Sequence, residues 1–353
     1  MTRPSAQQAM PLNPGTRLGH SQSPATRGLA LVGVLLMAPG VVAGQSPEPQ
    51  AVPRTAWGAP DLQGVWDFRT LTPLERPRNL AGKATFTEEE AAEFARRSIE
   101  SRASDGIRDR SVHAYWWLDY GTAVNEDRRT SLISDPQDGR IPPLTPAAQE
   151  TVRGPQQHPI TQPLVLETGA DGPEDRGVAA RCIIGFSSGP PIVPSAYNNI
   201  LQVFQTSDYV VIFTEMVHDA RIVPLDGRPH LAKTVRQWLG DSRGHWEGET
   251  LVIETTNLTD KASFSGNLIA KGASGETYHV VERLTRINAD RLVYEFTVED
   301  PTWWARPWTA AIPMKRTAQQ VYEYACHEGN YGMFNILSGS RAADRASDEA
   351  ADR

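Results

Sequence analysis

Cysteine is scarce in this chain: only Cys182 and Cys326 occur among 353 residues. No C-x-x-C pair exists, which removes the thiolate-rich zinc centre and the redox dithiol from consideration. Basic runs are missing too. With 35 Lys and Arg against 42 Asp and Glu, the formal net charge is −7. No cluster of Lys or Arg offers a face for phosphate, so nucleic acid is not an expected partner. Three familiar site signatures are absent: the G-x-S-x-G elbow, the P-loop, and a G-x-G-x-x-G following a strand. That disfavours a serine hydrolase and a nucleotide enzyme, and Ser187-Ser188-Gly189-Pro190 reads as a loop. No internal repeat is visible.

Long apolar runs are limited to one. Arg17 and Arg27 precede Leu29 to Val42, which carries no charge, and Val41-Val42-Ala43-Gly44 offers small residues to a signal peptidase. The run is shorter than the roughly 20 residues of a membrane span, and Pro39 interrupts its end. The expectation is a signal peptide over residues 1–44, a periplasmic or secreted protein, and no membrane span after cleavage. An uncleaved single-pass anchor is the alternative. The basic region is long, so translation starting at Met10 is a further reading, and no Arg-Arg pair there favours export in the folded state. In an exported chain, two cysteines suggest one disulfide, Cys182 to Cys326. The alternative is a free nucleophilic thiol, since His327 follows Cys326 directly.

Hydrophobic residues make up 39% and charged residues 22%, enough apolar material for a sizeable core. A Pro- and Gln-rich linker over residues 45–56 leads into a β-rich domain spanning 57–338, with a polar tail over 339–353. Within the domain, 57–195 is rich in helix and loop and 196–338 carries the antiparallel sheet. Leu62 to Phe68 reads as a strand. Thr87 and Glu90 form a capping box for a helix reaching about Arg102. A loop holding Tyr115-Trp116-Trp117 follows, and Thr145-Pro146 opens a short helix. Gly154 to Gly177 is polar, rich in Pro and Gly, and reads as loop.

From Ile200 the pattern turns to strands. Ile200 to Gln205 and Tyr209 to Met216 are separated by a short turn, and His245 to Thr255 forms a strand pair turning at Glu247-Gly248-Glu249. Thr277 to Arg286 and Arg291 to Glu299 make the clearest hairpin, turning at Asn288-Ala289-Asp290. Leu292, Tyr294, Phe296 and Val298 share one face there, the period of two that marks a half-buried strand. Ala310 to Lys315 and Gln320 to Cys326 are expected to finish a meander. The fold class is therefore mainly β: an antiparallel, barrel-like or strongly curved sheet with an N-terminal helical and loop layer. Gly64-Val65-Trp66 matches the G-x-W opening of lipocalin-like barrels.

Five segments carry a resemblance: Asp61-Leu62-Gln63-Gly64-Val65-Trp66; Arg129 to Ile133 with Asp138 to Leu144; His218-Asp219-Ala220-Arg221 with Pro224 to His230; Trp238-Leu239-Gly240-Asp241-Ser242; and Tyr324 to Asn330. Together they make the chain resemble a family of uncharacterised exported bacterial proteins, over about Trp57 to Ser338. The resemblance implies export and one continuous family unit, and it carries over no activity.

Two constellations could carry chemistry. In the first, Glu215, Val217, Asp219 and Arg221 would alternate onto one face if the strand from Tyr209 continues, with His218 on the other. His218 would be a general acid or base, Asp219 would orient it, and Arg221 would bind Asp219 or a substrate carboxylate. The plain alternative is a salt-bridged strand end. In the second, a disulfide at Cys326 would hold His327 and Glu328 as a rigid proton-transfer pair. His230 follows an Asp226-Gly227 turn and is a secondary candidate; a tight loop at the sheet rim is its plain alternative. Trp238 and Trp246, and Trp303, Trp304 and Trp308, could stack on a ring or fill the core. His218, His230, His245 and His327 with Glu215, Asp219 or Glu328 could ligate a divalent metal. No H-E-x-x-H or H-x-H spacing exists, so the expected site has no cofactor.

The leading expectation is a metal-independent hydrolase, lyase or isomerase acting on a small organic molecule. The catalytic set is His218, Asp219, His327, Glu328 and Glu215, with Arg221, His230, Trp238 and Trp304 binding substrate. The rival is a lipocalin-like binding protein for an apolar or aromatic ligand, supported by nine tryptophans. A carbohydrate-binding envelope protein is the third reading.

Overall fold

The computed structural model describes residues 52–108, 118–152, 171–176, 178–185, 187–259 and 275–351, with the side chains of 103–108, 151–152 and 218 outside that description. The expected signal peptide, most of the expected linker, Tyr115-Trp116-Trp117 and most of the expected 154–177 loop lie outside the described residues. Among the described residues, ten strands form one sheet. They are β1 (Gly64–Asp67), β2 (Ile133–Asp135), β3 (Ile200–Gln205), β4 (Tyr209–Thr214), β5 (Ala220–Pro224), β6 (Asp241–Glu247), β7 (Thr250–Thr256), β8 (His279–Arg286), β9 (Arg291–Glu299) and β10 (Trp308–Thr317). The hydrogen-bonded order is β5-β4-β3-β1-β10-β9-β8-β7-β6, with β2 added to β10. All the pairings are antiparallel.

The sheet is not closed into a barrel, because no ladder joins β5 to β6. Its curvature nonetheless brings these two edges alongside each other. Gly244 of β6 makes the approach: a Cβ built there would lie 2.6 Å from Leu225 Cδ2 and 2.9 Å from Val223 Cγ1. The seam is therefore side-chain packing. Expecting Gln320 to Cys326 as a last strand is also corrected; after β10 that segment joins no strand of the sheet. Pro and Gly are not the reason here. The segment leaves the sheet to reach Glu215 and Cys182, as described below.

Alternation decides what the sheet encloses. In β9, Leu292, Tyr294, Phe296 and Val298 are at most 1% exposed, and intervening residues are only partly covered. They join Trp66, Phe68, Leu201, Ile212, Ile253, Trp308 and Ile312 in one core. Each such side chain stabilises the fold by roughly 1.5–3 kcal/mol through burial. Trp66 is fully buried, and its indole Nε1 donates to Leu62 O at 3.0 Å. Arg286, inward on β8, lies 5.3 Å from the Trp66 ring and donates to Asn288 O and Ala289 O. It thereby ties the β8–β9 turn to the G-x-W segment.

The helices sit outside the sheet pattern. The Thr87 cap is formed: Glu90 N–H donates to Thr87 Oγ1 at 3.2 Å, and Thr87 N–H donates to Glu90 Oε2 at 2.8 Å. Both satisfy donors that the first turn leaves orphaned. The helix α1 (Glu88–Arg108) runs further than expected. Helix α2 (Pro146–Val152) is capped by Thr145, whose Oγ1 accepts from Ala148 N–H at 3.2 Å. The expected polar tail is instead part of α3 (Tyr331–Ala351). Its Ala, Arg and Glu are good helix formers, which composition alone had read only as polar.

Candidate functional site

The sheet order gathers the end of β4, the start of β5, the start of β6 and the end of β7 at one rim. There the expected alternation from Tyr209 to Arg221 fails. Strand β4 stops at Thr214, and Met216–His218 forms a 3-10 turn. Val217 sits at φ 58°, ψ 16°, a left-handed conformation costly for a β-branched residue. The surrounding structure holds it there. Thr214 N–H donates to Asp219 O at 2.9 Å, closing the turn, and Glu215 N–H donates to Ile200 O at 3.0 Å. Gly185 presses from the outside, where an added Cβ would meet Met216 Cγ at 2.1 Å. Ser188 Oγ accepts from Gly185 N–H at 3.0 Å and donates to Met216 O at 3.2 Å. Ser187 and Ser188 are thus buried and bonded.

The Cys182–Cys326 disulfide is formed, with Cα atoms 5.7 Å apart. Glu215 is 5% exposed, and one of its oxygens accepts from Tyr322 N–H at 3.1 Å. Tyr324 stacks on Tyr197 with ring centroids 6.4 Å apart. Burial, with Tyr324 beside it, pushes the Tyr197 phenol above its ordinary range. Segments 182–188, 215–219 and 322–326 are thus brought together from distant parts of the sequence. His327 and Glu328 follow the disulfide and are exposed. The side chain of His218 lies outside the described residues.

Arg221 is not available to a substrate. It is 7% exposed, and its guanidinium grips Glu282 bidentately, with Nη2 to Oε1 at 2.7 Å. Glu282 is fully buried on β8, and Tyr294 Oη donates to its Oε1 at 2.7 Å. The Tyr294 oxygen in turn accepts from Ile192 N–H at 2.9 Å. Arg221 Nη1 reaches Thr255 Oγ1 at 3.4 Å, and that oxygen shares a hydrogen bond with Ser242 Oγ at 2.8 Å. Burial works against the Arg221 charge, and the Glu282 carboxylate more than restores it. The expected partner Asp219 loses to Glu282 because β5 turns Arg221 into the interior, where only a fixed carboxylate can compensate it. Glu282 was missed as a site residue, although a glutamate between Val280 and Leu284 on an apolar face marks a buried partner.

At the same rim, His230 and Asp241 form an oriented pair. His230 Nδ1 lies 2.9 Å from Asp241 Oδ2, which also accepts from Leu231 N–H at 2.9 Å. Arg243 Nη1 donates to Asp241 Oδ1 at 2.6 Å. The Asp241 side chain is 5% exposed and that of His230 27% exposed. The carboxylate is therefore buried and fully engaged, while part of the imidazole reaches solvent. A carboxylate can only accept, so Asp241 favours the tautomer with Nδ1–H as donor and the lone pair on Nε2, the form a histidine needs to act as a general base. The Asp226-Gly227 turn and the Arg243 contact with Pro229 O at 3.2 Å hold the loop bearing His230. His245, in contrast, is half exposed beside Glu247 at 3.3 Å.

The tryptophans divide. Trp238 is half-buried and packs with Leu239 on Val178 and Ile184, next to the disulfide loop. Trp304 is 4% exposed and meets Trp308 edge to face at 6.0 Å. Expecting Trp304 to bind substrate is corrected, since its ring belongs to the core. Among the described residues, no group of three His, Cys, Asp or Glu side chains is placed to hold a metal ion.

The fold is thus an open, curved antiparallel sheet with few helices. No family model matches the chain, and no curated protein matches it. Among solved structures, a mutant of the fluorescent protein UnaG is similar at 14% identity, covering 34% of this chain and 72% of that one, with a TM-score of 0.21.

Proposed function

We propose that this chain is an exported acid–base enzyme acting on a small organic molecule, with His230 as the proton-transfer group and Asp241 as its orienting carboxylate. The observation that carries the reading is the 2.9 Å contact from His230 Nδ1 to a 5% exposed Asp241, with the His230 side chain itself 27% exposed. A buried carboxylate on Nδ1 fixes the tautomer and the orientation of the ring. The chemistry needs no metal: His230 takes a proton from water or from carbon and returns it to the leaving atom, as in hydrolysis, lyase action or isomerisation. His218 with Asp219, and His327 with Glu328, remain the candidate second proton-transfer pair. Glu215 is a buried carboxylate beside the 322–326 segment, accepting from Tyr322 N–H. The disulfide is compatible with export, and among the described residues no helix is long and apolar enough to cross a membrane. The lipocalin-like alternative would need the interior for its ligand. Arg221, Glu282, Tyr294 and the core aromatics already occupy that space.

The test is a turnover screen of the mature protein against small esters, lactones, hydroxy acids and enolisable ketones. His230→Gln and Asp241→Asn are run beside wild type, together with His218→Ala and His327→Ala. Loss of turnover of at least about a hundredfold in His230→Gln is expected from loss of a general base. An activity that survives His230→Gln unchanged refutes this assignment. Loss in His218→Ala or His327→Ala alone would move the chemistry to those residues.

A further inference from the structure

A cleft of about 490 Å³ opens on the other side of the sheet from the core, between α1, residues 118–126 and the outer faces of β1, β9 and β10. Its volume falls in the range that small-molecule sites occupy. Its charges are nearly all spoken for. Asp67 and Asp119 both hold Arg69, the latter with Arg69 Nη1 to Oδ2 at 2.9 Å. Glu126 holds Arg291 and, at 3.0 Å, Lys315. Every carboxylate of the cleft is thereby neutralised by a cation other than Arg102.

Arg102 is the exception. It projects from α1 and is partly buried, and its guanidinium carbon lies 3.7 Å from the Tyr120 ring centroid. Among the described residues it makes no ion pair. Burial lowers its pKa, the sign of a charge left without a compensating anion. Stacking on Tyr120 leaves the in-plane N–H fork free, and that fork matches a carboxylate bidentately. The lining also carries apolar side chains: Ile99, Leu118, Val124 and Pro313. Ile99 is 43% exposed, an apolar side chain presented to the cleft rather than to the core.

We propose that this cleft binds a small organic anion with an apolar, flat body, its carboxylate held by the Arg102 fork that Tyr120 supports from beneath, and its ring laid on the apolar lining of Ile99, Leu118 and Val124. The cleft does not include His230 or Asp241, so this second site stands independently of the catalytic reading. An apolar body is favoured because Ile99, Leu118, Val124 and Pro313 offer it surface to cover, whereas a purely polar anion would leave them unused.

Equilibrium dialysis of the intact mature protein against benzoate, phenylacetate and cinnamate tests this, with the matching primary amides and with acetate as controls. The aromatic carboxylates should bind, and the amides and acetate should bind at least about tenfold more weakly, as loss of a charge-assisted contact predicts. Arg102→Gln should weaken the carboxylates by roughly ten- to a hundredfold, and Arg102→Lys by less, because a lysine keeps the charge and loses the fork. Circular dichroism of the variants separates lost binding from lost folding. Tyr120→Leu, which removes the ring but no charge, is the second variant if Arg102→Gln fails to fold, and it too should weaken binding. Equal binding of amides and carboxylates overturns the proposal. So does undiminished binding by Arg102→Gln, or no binding of any aromatic carboxylate at millimolar concentration.

Discussion

Arg221 and Glu282 face each other at 7% and 0% exposure, so neither charge has water to fall back on. Removing one partner leaves the other buried and unpaired, which costs about 3–5 kcal/mol, whereas replacing both with apolar residues of similar volume is far milder. Arg221→Met is therefore expected to lower stability by several kcal/mol in urea unfolding. Arg221→Met with Glu282→Leu should recover much of that loss. If the double variant is as unstable as the single one, the pair is not the reason. Arg102 is the contrasting case: a cation with an aromatic face beneath it and no paired carboxylate among the described residues. Sequence offered no way to tell these arginines apart. Their difference arises from which carboxylate the fold delivers to each one.

Among the elements, the turn Met216–His218 holds a β-branched residue, Val217, in a left-handed conformation. Val217 at φ 58° persists because Gly185, Ser188 and Glu215 hold both of its flanks. Gly185 is required by close approach: any side chain would run into Met216 at 2.1 Å. Gly185→Ala should thus cost about 1–3 kcal/mol as an overpacking change. Because the turn also positions Glu215 and Asp219, the variant should loosen the rim; increased amide exchange at 215–219 would report it. Unchanged stability and exchange would mean that the loop simply shifts aside. Much of this element was legible in the sequence only as a density of acids and imidazoles. The strand ending at Thr214 was not, because the Tyr209 to Thr214 pattern has no Gly or Pro to stop it. Packing of the 182–188 loop ends it instead.

For the molecule as a whole, alkaline pH is the sharpest probe. Burial pushes the Tyr294 and Tyr278 phenols well above their ordinary range, and the nearby Glu282 carboxylate adds to it. Unfolded tyrosine ionises near pH ~10. The folded state keeps these protons, so the stabilisation is present below that pH and is lost as pH rises through the folded values. Each such tyrosine should contribute a decline of up to about 1.4 kcal/mol per pH unit above pH ~10. Urea titrations across this window, with phenolate absorbance, measure the slope. Tyr294→Phe should flatten it. A slope indifferent to that change would mean the phenol is not protected.

The disulfide, the α1 capping box, the β8–β9 hairpin and the mainly β class follow from local rules that sequence already contains. Two cysteines in one chain leave each a single intramolecular partner, and the disulfide is formed. Thr87 and Glu90 satisfy neighbouring backbone groups, and a period of two can bury only one face. What tertiary structure alone decided lies between residues far apart in the chain. It set the unclosed β5–β6 seam, the choice of Glu282 over Asp219 for Arg221, and the 2.9 Å meeting of His230 with Asp241. It also turned the expected tail and last strand into a helix and a strap across the rim. Local propensity cannot choose among such partners. Each pairing is settled by how far the sheet curves, and that curvature depends on the packing of every inward side chain at once.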